Sequence, residues 1–242
     1  MQLLRLIVLV CVLFSASSLF GQVVYEYMDL QTHPTMHVPY PFFSKGLQFF
    51  NEDEEPALSH KHQFNNVNYA NYLLNNKGAR IIIVGALTRE TVKNPEAARK
   101  TILTQIEYVN NFVAENSENF AIAKTPAEVR LLVHNTEKTI IIHSIEGANK
   151  LINSQADANF WATQGVAFIT LVHLIDSDHG SAAIKPNVFL KLINLKGSLR
   201  LKEKRGGLTA HGKNAIVWLA NAGIMTDITH MSDLCRTEAL EF

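Results

Sequence analysis

Short, uninterrupted apolar runs alternate along this chain with longer stretches in which apolar residues recur every three or four positions. Residues 79–87 (ARIIIVGAL), 139–144 (TIIIHS) and 166–172 (VAFITLV) are rich in β-branched side chains and lack polar alternation, which predicts strands buried on both faces. Residues 23–30 (VVYEYMDL) predict an earlier strand. Between these runs, residues 95–115 carry Ile102, Ile106, Val109 and Val113 on one stripe, as an amphipathic helix requires. Thr125 followed by Pro126 predicts the cap and first residue of a second helix. A third is expected from about 149 to 164, ending at Gly165. Thr209 caps a fourth, with Ala215, Ile216, Leu219 and Ala220 at helical spacing and Gly223 as the stop. Residues 224–230 then read as a strand whose alternation puts Thr226, Ile228 and His230 on one face. Ser232 opens a last helix.

Strands near 23–30, 79–87, 139–144, 166–172 and 224–230, alternating with helices, predict an α/β fold with a parallel sheet. The architecture expected is a (β/α)8 TIM barrel of the metal-dependent hydrolase type, cut off after about five βα units. Two stretches without clean periodicity, near 34–78 and 176–206, read as insertions. His37, His60 and His62 fall in the first, where a solvated loop explains them as well as a metal site does.

The first 22 residues change the picture. One positive charge at Arg5, an apolar run at 6–14 and small residues at 15–18 predict a signal peptide, cut after Gly21. Residues 22–242 would then form the incomplete barrel, exported to the periplasm or the extracellular space. No later apolar run is long enough to cross a bilayer. Cys11 leaves with the signal, so Cys235 is the one thiol expected in the exported chain. The 242 residues are 47% hydrophobic and 18% charged with a formal net charge of zero, a globular balance that gives no reason to expect nucleic acid. The basic run from Lys185 to Arg205 reads as a solvated face or as the rim of a mouth that attracts a carboxylate.

Candidate chemistry sits where strands end. Asp29, Gln31 and His33 lie two apart, so a strand would turn all three to one side. A capped turn at 32–34 reads the same residues without chemistry. Glu146 follows a β-branched apolar run, where a carboxylate is costly unless a cation or several donors meet it. Its ordinary alternative is an interaction with the start of the next helix. His173 and His230 each follow or end a strand, a place where a histidine is also found simply as a satisfied polar residue. Asp176, Asp178 and His179 offer loose metal-ligand chemistry or an ordinary polar loop.

Several of these stretches carry a family pattern. HSIEGA around Glu146, WATQGVAFITLVH ending at His173, and GLT-x-x-G followed by G-I-x-x-D-I-x-H and M-S around His230 resemble the membrane dipeptidase (renal dipeptidase) family of zinc amidohydrolases. The resemblance implies hydrolysis of dipeptides at a site holding two Zn2+ ions. It implies that Glu146 bridges the metals, that His230 and His33 bind metal, and that His173 contacts substrate at the scissile carbonyl. In that family a His and then an Asp end the first strand, where this chain has Gln31 and then His33. Gln31 is therefore a candidate ligand of poor quality, since a neutral amide competes badly with imidazole. The resemblance also implies a further metal-binding histidine and an aspartate beyond residue 242. The expectation is thus an exported dipeptidase with a small amide substrate and room for a homodimer, or else a non-catalytic relative acting as a binding protein.

Overall fold

The computed structural model describes residues 28–33, 35, 79–89, 92–183 and 206–242. Six strands form one parallel sheet among them. These are β1 (Met28–Thr32), β2 (Ile81–Leu87), β3 (Phe120–Ile122), β4 (Thr139–Glu146), β5 (Val166–Thr170) and β6 (Met225–Asp227). The order is β1-β2-β4-β5-β6, with β3 pairing β4 off this path. A parallel sheet of this order with helices in the crossovers curls as one part of a (β/α)8 barrel.

Continuity of the apolar runs follows from burial. Every residue of β2 is buried, as is β4 from Ile140 onward. Polar alternation would have placed side chains where no water reaches. β4 has β2 along one edge, while its other edge is shared: residues 139–141 pair with β3, and 143–146 pair with β5 after a register shift. The three-residue β3 was not expected. It is too short to show a period, and its pairing depends on β4 rather than on its own sequence.

The helices are α1 (Pro95–Glu115), α2 (Pro126–Asn135), α3 (Gln155–Thr163), α4 (Ala210–Asn221) and α5 (Asp233–Glu241). Their caps explain their limits. Thr125 and Glu128 form a capping box at α2, and Asn94, Ser154, Thr209 and Ser232 each accept amides at the start of a helix. The start expected near 149 moves to Gln155, because Ser154 and Asp157 exchange hydrogen bonds that fix the cap there. Fully buried Trp161 of α3 packs with Ile145, Leu171 and Leu219, so the helices close over the sheet around one aromatic side chain. No helix among the described residues is long and apolar enough to cross a membrane.

The expected strands shift at their ends, β2 beginning at Ile81, β4 running on to Glu146 and β5 stopping at Thr170. The first extends to Thr32 rather than ending at Leu30. The last ends at Asp227, so His230 is not on the strand face that alternation assigned to it. It lies in a turn with φ of 65°. The expected signal peptide, the histidines at 37, 60 and 62, and the basic run fall outside the described residues.

Candidate metal centre

Four strand ends meet at one carboxylate. Glu146 is the last residue of β4, His33 follows β1 directly, and His173 and His230 each stand three residues beyond β5 and β6. His33 Nε2 lies 2.9 Å from Glu146 Oε2, His230 Nε2 3.0 Å from Oε1, and His173 Nε2 3.5 Å from Oε2. The His173 and His230 rings meet edge to face, with centroids 4.8 Å apart.

Local structure holds each of these side chains. His33 Nδ1 is 2.8 Å from the carbonyl of Gly85 on the neighbouring strand. Two residues on, Thr35 donates to Gln105, a buried side chain of α1 that also holds both the amide and the carbonyl of Leu87. Gln105 thus ties the exit of β1 to the end of β2. After Glu146 the chain turns at Gly147 with φ of 86°, and the amides of Gly147 and Ala148 both donate to the carbonyl of Thr170. A Cβ on Gly147 would stand 3.2 Å from the Cβ of His173. Glycine is needed there twice over, for the backbone angle and for the close approach.

The electrostatics keep a negative charge at the centre. Burial alone would raise the pKa of Glu146, but hydrogen bonds with His230 and His33 and the nearby His173 outweigh it, so the carboxyl is held well below the usual range. Burial likewise opposes a charge on His33, yet the Glu146 carboxylate, the Gly85 carbonyl and Asp29 raise its pKa. Both ring nitrogens of His33 face acceptors. A neutral imidazole has one N–H and satisfies only one of them. The arrangement therefore calls either for imidazolium or for a cation between Nε2 and the carboxylate, with Nδ1–H donating to Gly85 as the outer partner of a metal-bound histidine does. Glu146, His173 and His230 bring three ligand atoms within 4.8 Å of one another. Imidazole and carboxylate together suit zinc.

Other expected candidates are used differently. Asp176 accepts the amide of Ala182, Asp178 pairs with Lys150, and His179 is buried with Nε2 3.0 Å from the Ile152 carbonyl. These are the bonds of a well-tied loop. The role expected of the Gln31 side chain falls outside the described residues.

Comparison with known proteins decides the family. Residues 57–242 match the membrane dipeptidase (peptidase family M19) family. The chain belongs to the membrane dipeptidase family. An uncharacterized dipeptidase of Schizosaccharomyces pombe is 24% identical over 147 residues, which is 61% of this chain and 32% of that protein. Among solved structures, the dipeptidase AC, a metallo peptidase of family M19, superposes with a TM-score of 0.63 at 14% identity, covering 90% of this chain and 60% of its own. A metallo peptidase from Rhodobacter sphaeroides, liganded with a phosphinate mimic of the dipeptide L-Ala-D-Ala, gives 0.62 at 13% identity, covering 89% and 62%. The chain spans about a third of the curated relative and about three fifths of these two structures.

Proposed function

We propose that this chain carries the metal-binding part of an exported zinc-dependent dipeptidase that cleaves the peptide bond of dipeptides at a binuclear site. The observation that carries this is the buried Glu146 carboxylate ringed by His33, His173 and His230. Glu146, His33 and His230 would hold the cations, with Gln31 a weaker fourth donor. When bound, zinc supplies a Lewis acid that activates water and polarises the amide carbonyl. Glu146, kept anionic by the histidines around it, would be shared between the cations. His173 reaches the same carboxylate with its ring edge to face against His230, and it orients the scissile carbonyl and stabilises the charge that grows on its oxygen. Water adds to the carbonyl carbon, the C–N bond breaks, and the amine leaves with a proton. The phosphinate dipeptide mimic bound by the Rhodobacter sphaeroides structure supports a dipeptide as the substrate class.

Gln31 favours a second reading. With an amide in place of an imidazole, one metal position is weakened, and a relative with a decayed site would bind peptides without cutting them. Zinc titration and dipeptide turnover with Glu146→Gln separate the readings. The expected result is zinc bound by the wild type and lost from the variant, with turnover lost alongside it in the full-length protein. Full zinc occupancy in Glu146→Gln would exclude the bridging role. Zinc binding with no turnover in the full-length wild type would select the binding protein.

A further inference from the structure

Asp227 ends β6, and both of its carboxylate oxygens are used. Oδ2 accepts the Thr170 hydroxyl at 2.9 Å, and Oδ1 accepts the amide and hydroxyl of Thr229 at 2.8 and 2.6 Å. The second pair closes an Asx-type turn. One residue later His230 adopts φ of 65°, a left-handed conformation that costs a non-glycine residue on the order of 1 kcal/mol. Strain of that kind persists only where the surroundings impose it. On its far side the His230 carbonyl accepts the amide of Ala183 at 2.7 Å, and on its near side the Asp227 turn adds to the bond from the Met231 amide to the Ile228 carbonyl that spans the residue.

Thr170 links the same carboxylate to the other half of the site. It stands opposite Glu146 in the β4–β5 ladder, and its carbonyl receives the amides of Gly147 and Ala148. One side chain therefore joins the strand end that presents Glu146 to the turn that presents His230. We propose that Asp227 is a positioning residue of the metal centre. It sets His230 Nε2 against Glu146 Oε1 and touches neither the cation nor the substrate. The inference rests on the metal-site reading above.

The test is a Co2+ titration of the chelator-stripped 242-residue chain, read by the visible absorption of bound cobalt. In Asp227→Ala the affinity should fall about tenfold or more, the usual effect of losing an outer partner of a ligand, and the bands should change shape. In a His230→Ala background the same substitution should add no further loss, because it acts through that ring. Asp227→Asn keeps an acceptor for Thr229 and should restore most of the affinity. A structural role alone would lower the melting temperature of the metal-free chain and leave the cobalt spectrum as it was. Wild-type affinity and bands in Asp227→Ala, or additive losses in the double variant, would overturn the proposal. Should Asp227→Ala not fold, Thr229→Val removes one of the three hydrogen bonds and should weaken cobalt by about threefold. No change there would overturn it equally. If the wild type binds no cobalt, the metal reading itself fails and takes this proposal with it. Cobalt bound alike by wild type and variants sinks this proposal alone.

Discussion

Gly147 shows how little room the centre leaves. Its φ of 86° suits glycine, and a methyl group would press on His173 at 3.2 Å. Gly147→Ala should destabilise the fold by roughly 1–2 kcal/mol through the backbone alone. It should also displace His173, so turnover in the full-length protein should fall further than zinc affinity does. Urea unfolding and a zinc titration on the same variant check the two parts, and a variant of wild-type stability would contradict the strain. Glu146, His173 and His230 were legible in the sequence because each lies in a stretch with a family pattern. Asp227 lay inside one of those stretches and was given no role. The Asp-x-Thr spacing of an Asx turn was its signal, but the alternation of Thr226, Ile228 and His230 suggested a strand instead. Gln105 gave even less warning, since an amide within an otherwise apolar stripe does not announce that it clamps two other segments.

Capping chemistry decided the helices, and the starts of α2, α4 and α5 could be read in advance from Thr125, Thr209 and Ser232, whereas α1 was legible from its apolar stripe rather than from its cap at Asn94. α3 was misplaced at its start because the apolar pattern runs upstream of the cap. Ala148, Leu151 and Ile152 are buried without being helical, and Lys150 between them has φ of 66°. Burial alone does not distinguish a helix from a tight turn packed on the core. What α3 contributes is Trp161, fully buried and donating its indole N–H to the Leu151 carbonyl at 3.3 Å. Trp161→Ala should cost about 3–5 kcal/mol, the range for emptying a large aromatic site. Thermal unfolding gives the measurement. A loss below about 1 kcal/mol would mean that the helices collapse freely into the space.

Across the molecule the buried histidines outside the centre make stability depend on pH. Burial lowers His143 from 6.5 to about 4, with Lys124 adding to it, and burial likewise lowers His179 from 6.5 to about 4. Below pH 6.5 the unfolded chain takes up these two protons while the folded chain does not, so unfolding becomes easier as the pH falls. The stability is whole above 6.5 and is lost progressively down to about 4. His33 shifts the other way, so it adds no slope below 6.5. Glu146 is lowered from 4.5, so its loss begins only below that value. Among the described residues the decline between 6.5 and 4.5 therefore belongs to the two histidines, on the order of a few kcal/mol together. Urea midpoints of the chelated chain measured across this window should drop steadily, and a flat profile would show that both histidines titrate freely.

The Glu146 carboxylate and the three histidines around it stand at positions 146, 33, 173 and 230, and no two of them are neighbours along the chain. An unfolded chain holds none of this arrangement. Bringing such distant segments together costs loop-closure entropy before any of them meets. A cation held between Glu146, His33 and His230 would therefore recognise the folded state alone and act as a clasp on the sheet. Free metal at a hundred times its dissociation constant would add about 2.7 kcal/mol to the unfolding free energy. Stripping it with a chelator should lower the melting temperature in a way that depends on the metal concentration restored. The sheet would then owe part of its cohesion to the same ion that serves the chemistry, and metal starvation would reach this protein first as a loss of fold.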